Sequence, residues 1–189
     1  LLLYPRIGKE LFPAVDAGQF TVRVRAPAGT RLETTERHLA EVEKAIQARI
    51  PEQELKKLIT NIGVLYDWPA AYTPNAGPMD SFVLVQLSEE RSRSAQDVVS
   101  FLRTDLAREF PGLEFSYDTG GLVTAALNFG LPSPINIQVE GNKLDVARAL
   151  AERIQGLVSS VSGTVDVRIE QRLDYPMARV EVDRTKAAT

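Results

Sequence analysis

The sequence predicts an α+β fold: a ferredoxin-like βαββαβ unit over residues 16–119, then an incomplete second unit, βαββ, over residues 120–189. Three observations predict it. Short stretches alternate apolar and polar residues with a period of two, as half-buried strands do. Between them run helical stripes with apolar spacings near 3.6. Pro and Gly punctuate the joints between strand and helix patterns. A four-stranded sheet with both helices on one face is the simplest architecture that buries all the stripes of the first unit.

The elements follow in order. Phe20, Val22, Val24 and Ala26 alternate with Thr21, Arg23 and Arg25, which reads as the first strand. Pro27-Ala28-Gly29 is a turn signal, and Thr30-Arg31-Leu32-Glu33 has the Thr-x-x-Glu form of a capping box. Leu32, Leu39, Val42, Ile46 and Ile50 then form a helical stripe that ends before Pro51. A second strand is expected at about residues 58–65. Phe82-Val83-Leu84-Val85-Gln86-Leu87 is nearly continuous apolar, as in a central strand. Ser94 with Asp97 caps a helix carrying Val98, Val99, Leu102, Leu106 and Phe110, which Pro111-Gly112 stops. Leu113, Phe115 and Tyr117 alternate with Glu114, Ser116 and Asp118 as the closing strand.

The second unit begins with Ile135, Ile137 and Val139 in alternation. Asn142 with Asp145 is expected to cap a helix holding Leu144, Ala147, Leu150, Ile154 and Leu157. Strands follow at Val165, Val167, Ile169 and at Ala178, Val180, Val182. A ferredoxin-like unit needs one more helix and one more strand than this.

Composition removes much chemistry. The chain has 189 residues, 44% hydrophobic and 25% charged, with a net charge of −3. These are globular values, and nothing in the charge balance attracts nucleic acid. There is no Cys, so disulfides, thiolate catalysis and Cys-based metal sites are excluded. The single histidine, His38, sits on the polar side of its helix and reads as a solvated surface residue. With one imidazole and no clustered acids, no hydrolytic triad or multi-His metal centre is expected, and no cofactor. The expectation is a protein without enzymatic activity.

Two loops stand out. Residues 66–79 carry Tyr66, Trp68, Tyr72 and Met79 with three prolines. Aromatics on a stiff loop either line an apolar ligand site or pin the loop to its own sheet. Residues 118–134, with Leu122, Val123, Leu127 and Phe129, are too apolar to stay in water, and should pack in a seam or against a partner subunit. The opening Leu1-Leu2-Leu3-Tyr4-Pro5-Arg6 reads either as a frayed apolar end or as the last turn of a membrane helix.

The run Phe12-Pro13-Ala14-Val15-Asp16-Ala17-Gly18-Gln19-Phe20, followed by Pro27-Ala28-Gly29-Thr30, resembles the segment after the seventh membrane helix of resistance–nodulation–division (RND) efflux transporters of the AcrB/MexB-like kind. Leu131-Pro132-Ser133-Pro134-Ile135, Val165-Asp166-Val167-Arg168 and Tyr175-Pro176-Met177-Ala178-Arg179 resemble the start of that family's next porter subdomain. The resemblance implies a membrane-helix exit and linker at residues 1–15, a complete porter subdomain at 16–119 and half of a second at 120–189. It implies a proton-driven homotrimer in the bacterial inner membrane, with this segment in the periplasm, working with an adaptor protein and an outer-membrane channel. Metal exporters of the family use porter methionines, and only Met79 and Met177 occur here, in different subdomains. That favours hydrophobic or amphiphilic small molecules as substrates, with a metal-ion or lipid exporter as the alternative. The expected substrate-binding residues are Tyr66, Trp68, Tyr72, Met79, Phe82, Phe115 and Tyr117. A stand-alone ferredoxin-like ligand-binding regulatory module is the reading of another class.

Overall fold

A computed structural model describes residues 16–63, 77–119, 133, 135–172 and 174. The expected βαββαβ unit is present. Strand β1 is Gln19–Arg25, helix α1 Leu32–Arg49, β2 Leu55–Ile62, β3 Asp80–Leu87, α2 Ala95–Glu109 and β4 Glu114–Asp118. The four strands form one sheet in the order β2-β3-β1-β4, and each neighbouring pair is antiparallel. This is the ferredoxin-like arrangement.

Alternation decides which residues enter the core. On β1, Phe20, Val22 and Val24 are buried, while Thr21, Arg23 and Arg25 are only half-buried. On β3, Val83, Val85 and Leu87 join them from the same side. Leu39, Val42 and Ile46 of α1 and Val98, Val99, Leu102 and Leu106 of α2 close over that face. Both helices therefore lie on one side of the sheet.

Local chemistry sets the joints. Ser94 caps α2 as expected: the Asp97 N–H donates to Ser94 Oγ at 3.1 Å, and the Ser94 N–H donates back to Asp97 Oδ2 at 3.3 Å. The expected Thr30 box does not form. The N-cap of α1 is Arg31, without a side-chain capping bond. The Thr30 hydroxyl instead donates to the Pro27 carbonyl at 2.7 Å, closing a turn in which Gly29 takes φ +81°. Strand β2 starts and ends three residues earlier than the expected 58–65. A 3-10 turn, Glu52–Glu54, brings the chain back at once, and the Ser88 N–H donates to the Glu54 carbonyl at 2.7 Å, aligning β2 with the end of β3. The half-exposed placement of His38 agrees with its polar surroundings on α1.

The second unit departs from expectation. Its helix is present as α3, Leu144–Ser159. Lys143 is the N-cap and makes no side-chain capping bond, so the Asn142/Asp145 cap is not formed. Residues 135–140 and 165–169 are not in strands. A strand needs a partner to satisfy its N–H and C=O groups, and these stretches have none among the described residues. Asp166 also takes φ +56°, which breaks β geometry in the middle of the expected 165–169 strand. The expected strand at 178–182, the loop at 118–134 beyond residue 119 (apart from residue 133) and the N-terminal 15 residues lie outside the described residues. No helix among the described residues is long and apolar enough to cross a membrane.

Candidate substrate-binding surface

The sheet face away from the helices is built by the alternate residues of each strand. Register places Asn61 of β2, Phe82 of β3, Arg23 of β1 and Ser116 of β4 in one cross-strand row. The next row is Ile59, Leu84, Thr21 and Asp118. Phe82 and Leu84 are half-buried, and Ile59 is exposed. The surface is thus apolar along β3, with Ile59 beside it on β2, and polar along β1 and β4.

Two atoms in the Phe82 row are unusual. Arg23 Nε and Asn61 Oδ1 are shielded from solvent and have no hydrogen-bond partner among the described residues. A buried polar group left unpaired costs about 1–3 kcal/mol, so natural chains retain one where something else meets it. Here a donor and an acceptor stand on either side of Phe82, roughly 10 Å apart given two strand spacings. An unpaired donor and acceptor flanking an aromatic ring can grip a ligand that has both an apolar part and a polar edge. At the end of the sheet, Arg25 Nε donates to Asp80 Oδ1 at 2.9 Å, and Asp80 Oδ2 accepts from the Gly77 N–H at 3.0 Å.

Of the expected site residues, the structure brings Phe82 to this face. Tyr66, Trp68 and Tyr72 lie outside the described residues. Met79 is buried at 3% exposure, and its carbonyl accepts from the Ala26 N–H at 2.9 Å. Phe115 and Tyr117 point to the opposite, helix-covered side and pack against the core. Phe115 meets Phe110 with ring centroids 6.3 Å apart. The Tyr117 hydroxyl donates to the Leu102 carbonyl at 3.2 Å, and the Arg103 guanidinium lies 5.1 Å from its ring centroid. Burial, with the Asp166 charge adding to it, pushes the Tyr117 hydroxyl well above the ordinary phenol range, so it stays a neutral donor. As placed, Met79, Phe115 and Tyr117 do not share a surface with Phe82. Arg23 and Asn61 were not among the expected residues. Their signal was the basic side chain in the middle of an otherwise apolar-polar strand, which alternation alone reads as solvated.

Among the described residues, no group of three or more His, Cys, Asp or Glu side chains is placed to hold a metal ion. Two concavities do occur. One, of about 470 Å³, is lined by Gln53, Lys56, Ser88, Glu89 and Glu90. The other, of about 260 Å³, lies beside the start of α3 and includes Val139, Val146 and Leu150. Neither includes the Phe82 row.

A four-stranded antiparallel sheet with both helices on one face is consistent with a ferredoxin-like porter subdomain of RND efflux transporters. The chain matches the AcrB/AcrD/AcrF family over residues 1–189 and belongs to that family. Among its relatives is the cobalt-zinc-cadmium resistance protein CzcA of Cupriavidus metallidurans, 21% identical over 187 residues. That match covers 97% of this chain and 17% of the relative. Protein HelA of Legionella pneumophila is 22% identical over 181 residues, 94% of this chain and 17% of the relative. The crystal structure of a heavy metal efflux pump superposes with a TM-score of 0.77 at 26% identity, covering 99% of this chain and 19% of that one. The chain therefore spans about a sixth of the length of the curated relatives it matches.

Proposed function

We propose that the chain is a porter segment of a proton-driven RND pump that exports metal cations, lying in the periplasm of a trimer held in the inner membrane. The observation that carries this reading is the relatives: a cobalt-zinc-cadmium resistance protein and a heavy metal efflux pump each match nearly the whole chain. This replaces hydrophobic and amphiphilic compounds as the leading substrate class. An adaptor protein and an outer-membrane channel complete the path in the same reading. The segment binds and passes substrate and does no covalent chemistry, which suits a chain with one histidine and no cysteine.

In this reading the cation's ligands come from groups outside the described residues, because the Phe82 row offers a guanidinium and an amide. A bare cation is repelled by Arg23, and the repulsion grows as water is excluded. The methionine version of metal binding needs Met79 and Met177 together. Met79 is buried in the first unit, and Met177 lies outside the described residues.

One observation favours the second reading, export of amphiphilic organic compounds. Phe82, Leu84 and Ile59 with the unpaired Arg23 and Asn61 make a surface suited to an apolar molecule with a polar edge. Expressing the full-length protein in an efflux-deficient bacterium separates the two. Raised tolerance to cobalt, zinc or cadmium with unchanged tolerance to hydrophobic dyes is expected. The reverse pattern would replace the metal reading with the amphiphile reading.

A further inference from the structure

Strand β3 lies between β2 and β1 in the sheet, and the loop that leaves it, residues 88–94, is fastened to the approach of both neighbours. Asp16, ahead of β1, holds one side. Its Oδ2 accepts from Arg91 Nε at 3.2 Å and Nη2 at 2.7 Å, and its Oδ1 accepts from the Gly18 N–H at 3.0 Å and the Ala95 N–H at 3.3 Å. Glu54, in the turn ahead of β2, holds the other. Its Oε1 accepts from the Ser92 N–H at 3.1 Å and from the Ser92 hydroxyl at 2.6 Å. Arg91 and Ser92 are consecutive, so the two carboxylates hold adjoining residues.

Burial does not hold this loop. Leu87 and Ala95 belong to the core, but residues 88–94 between them are half-buried or exposed. The Ser88 N–H donates to the Glu54 carbonyl at 2.7 Å and fixes the first residue, and the Ser94 cap fixes the last. Within the loop, Arg91 Nη1 donates to the Ser88 carbonyl at 3.0 Å, and the Arg93 guanidinium lies 4.8 Å from the Phe101 ring centroid. Gly18 is shaped to the Asp16 side. It takes φ +64°, and a Cβ there would lie 3.0 Å from Arg91 Nη1, so a side chain at 18 and the Arg91 fork exclude each other.

The charged groups nearby are of both signs. Arg91 faces Asp16 and Arg93 acts on Glu54, while Lys56, Glu89 and Glu90 line the concavity beside the loop. Burial works to raise the Asp16 pKa, but the Arg91 bond and the two N–H groups outweigh it and bring the pKa down. At Glu54 the Ser92 hydroxyl and N–H lower the pKa, and Arg93 adds to them against the opposing effect of burial. Ionised, both groups favour the fastened loop. That advantage is present above the ordinary carboxyl range, about pH 4, and is lost as pH falls through the lower folded-state values.

We propose that residues 88–94 form an acid-released strap: protonating Asp16 and Glu54 frees the loop as one piece while the core beneath it stays closed. Either carboxylate alone keeps the strap partly in place, so the two protons are taken up together. Ser88, Glu89 and Glu90 form part of the wall of the concavity of about 470 Å³, and release opens that wall. These contacts all lie within the first unit, and the strap works alike for either substrate class above.

Amide NMR of the 189-residue chain, titrated from neutral to acid pH, follows the donors directly. The Gly18, Ser92 and Ala95 signals are expected to move together with one midpoint below about pH 4, while the Val22 and Val83 signals keep their positions. Asp16→Asn keeps an acceptor for the two N–H groups but does not titrate. It is expected to abolish the Gly18 and Ala95 transitions and to shift the Ser92 midpoint upward, toward the ordinary glutamate value, because a half-released loop holds ionised Glu54 less well. Arg91→Lys keeps the positive charge without the fork. It is expected to shift all three midpoints upward, and it decides the matter if the Asp16→Asn chain does not fold. An unchanged Ser92 midpoint in either folded variant overturns the strap, since the two carboxylates then act independently. So does wild-type movement of the three signals only together with Val22 and Val83, which is global unfolding.

Discussion

The first unit and the α3 region begin from the same kind of sequence and end differently. Helices α1 and α2 carry apolar stripes that meet a sheet, and Leu39, Ile46, Leu102 and Leu106 are sealed from water. Helix α3 carries a stripe just as regular, yet Leu144, Val146, Leu150 and Leu157 are each at least 48% exposed. Among the described residues, what ties α3 to the chain after it is polar: Arg148 and Gln155 donate to the Gln171 and Val167 carbonyls. A periodic stripe says which side of a helix avoids water, but burial depends on whether a matching surface exists nearby. In the first unit four strands supply that surface; among the described residues of the second, none is formed.

The largest effect expected from this contrast is at Leu102. It is fully buried where α2 meets the sheet, so Leu102→Ala leaves a cavity and costs about 2–5 kcal/mol. Leu150→Ala, at an equivalent place in its own stripe but 48% exposed, should change stability by less than about 0.5 kcal/mol. Urea unfolding followed by circular dichroism measures both. Equal costs would mean that α3 is packed in solution, and the contrast between the regions would disappear.

A smaller effect is expected where charge fixes the start of the first unit. Asp16 accepts from the Gly18 N–H at 3.0 Å, from Arg91 Nη2 at 2.7 Å and from the Ala95 N–H at 3.3 Å. Burial by itself would raise the carboxyl pKa, but the Arg91 bond and the two backbone N–H groups outweigh it and hold the pKa below the ordinary aspartate value. A lowered folded-state pKa gives stability that is present above the unfolded value and is lost as pH falls through the folded one. Wild-type stability should therefore decline on acidification below about pH 4, where unfolded aspartate takes up its proton. Asp16→Asn should start lower at neutral pH and decline less steeply over that range. Parallel acid-unfolding curves for the two proteins would show that Asp16 does not couple to folding.

Much of the first unit was legible because its signals are local and mutually consistent. The β1 alternation, the α1 and α2 stripes and the Ser94 box each name an element, and the sheet order follows from burying all of them together. The start of β2 was not legible, because it depends on Glu54 meeting Ser88 and Ser92, more than thirty positions away in sequence. The strands expected at 135–139 and 165–169 fail for the same reason in reverse: alternation makes a stretch able to pair, and pairing needs a second stretch. Asp166 shows this most directly, since its carboxylate leaves the strand pattern to meet Arg103. The candidate surface was legible in part. Phe82 was expected to touch substrate and sits on the face away from the helices, but Phe115 and Tyr117 share a strand whose apolar residues turn inward. Arg23 and Asn61 gained their interest only when register placed them on either side of Phe82.

The smallest effect compares the two helix starts within the first unit. Ser94 carries a complete capping box, and Ser94→Ala removes an acceptor from the Asp97 N–H. The cost should be about 1 kcal/mol, the usual value for a lost N-cap. Thr30 has the same sequence signature but spends its hydroxyl on the Pro27 carbonyl, one residue ahead of the true N-cap. That bond is exposed, so Thr30→Ala should cost about 0.5 kcal/mol or less, the low end for a hydrogen bond in water. Thermal unfolding resolves the pair if both variants are measured beside the wild type. A cost at Thr30 equal to that at Ser94 would mean that α1 begins at Arg31 with Thr30 as its cap in solution, and that the turn at Gly29 opens to let it.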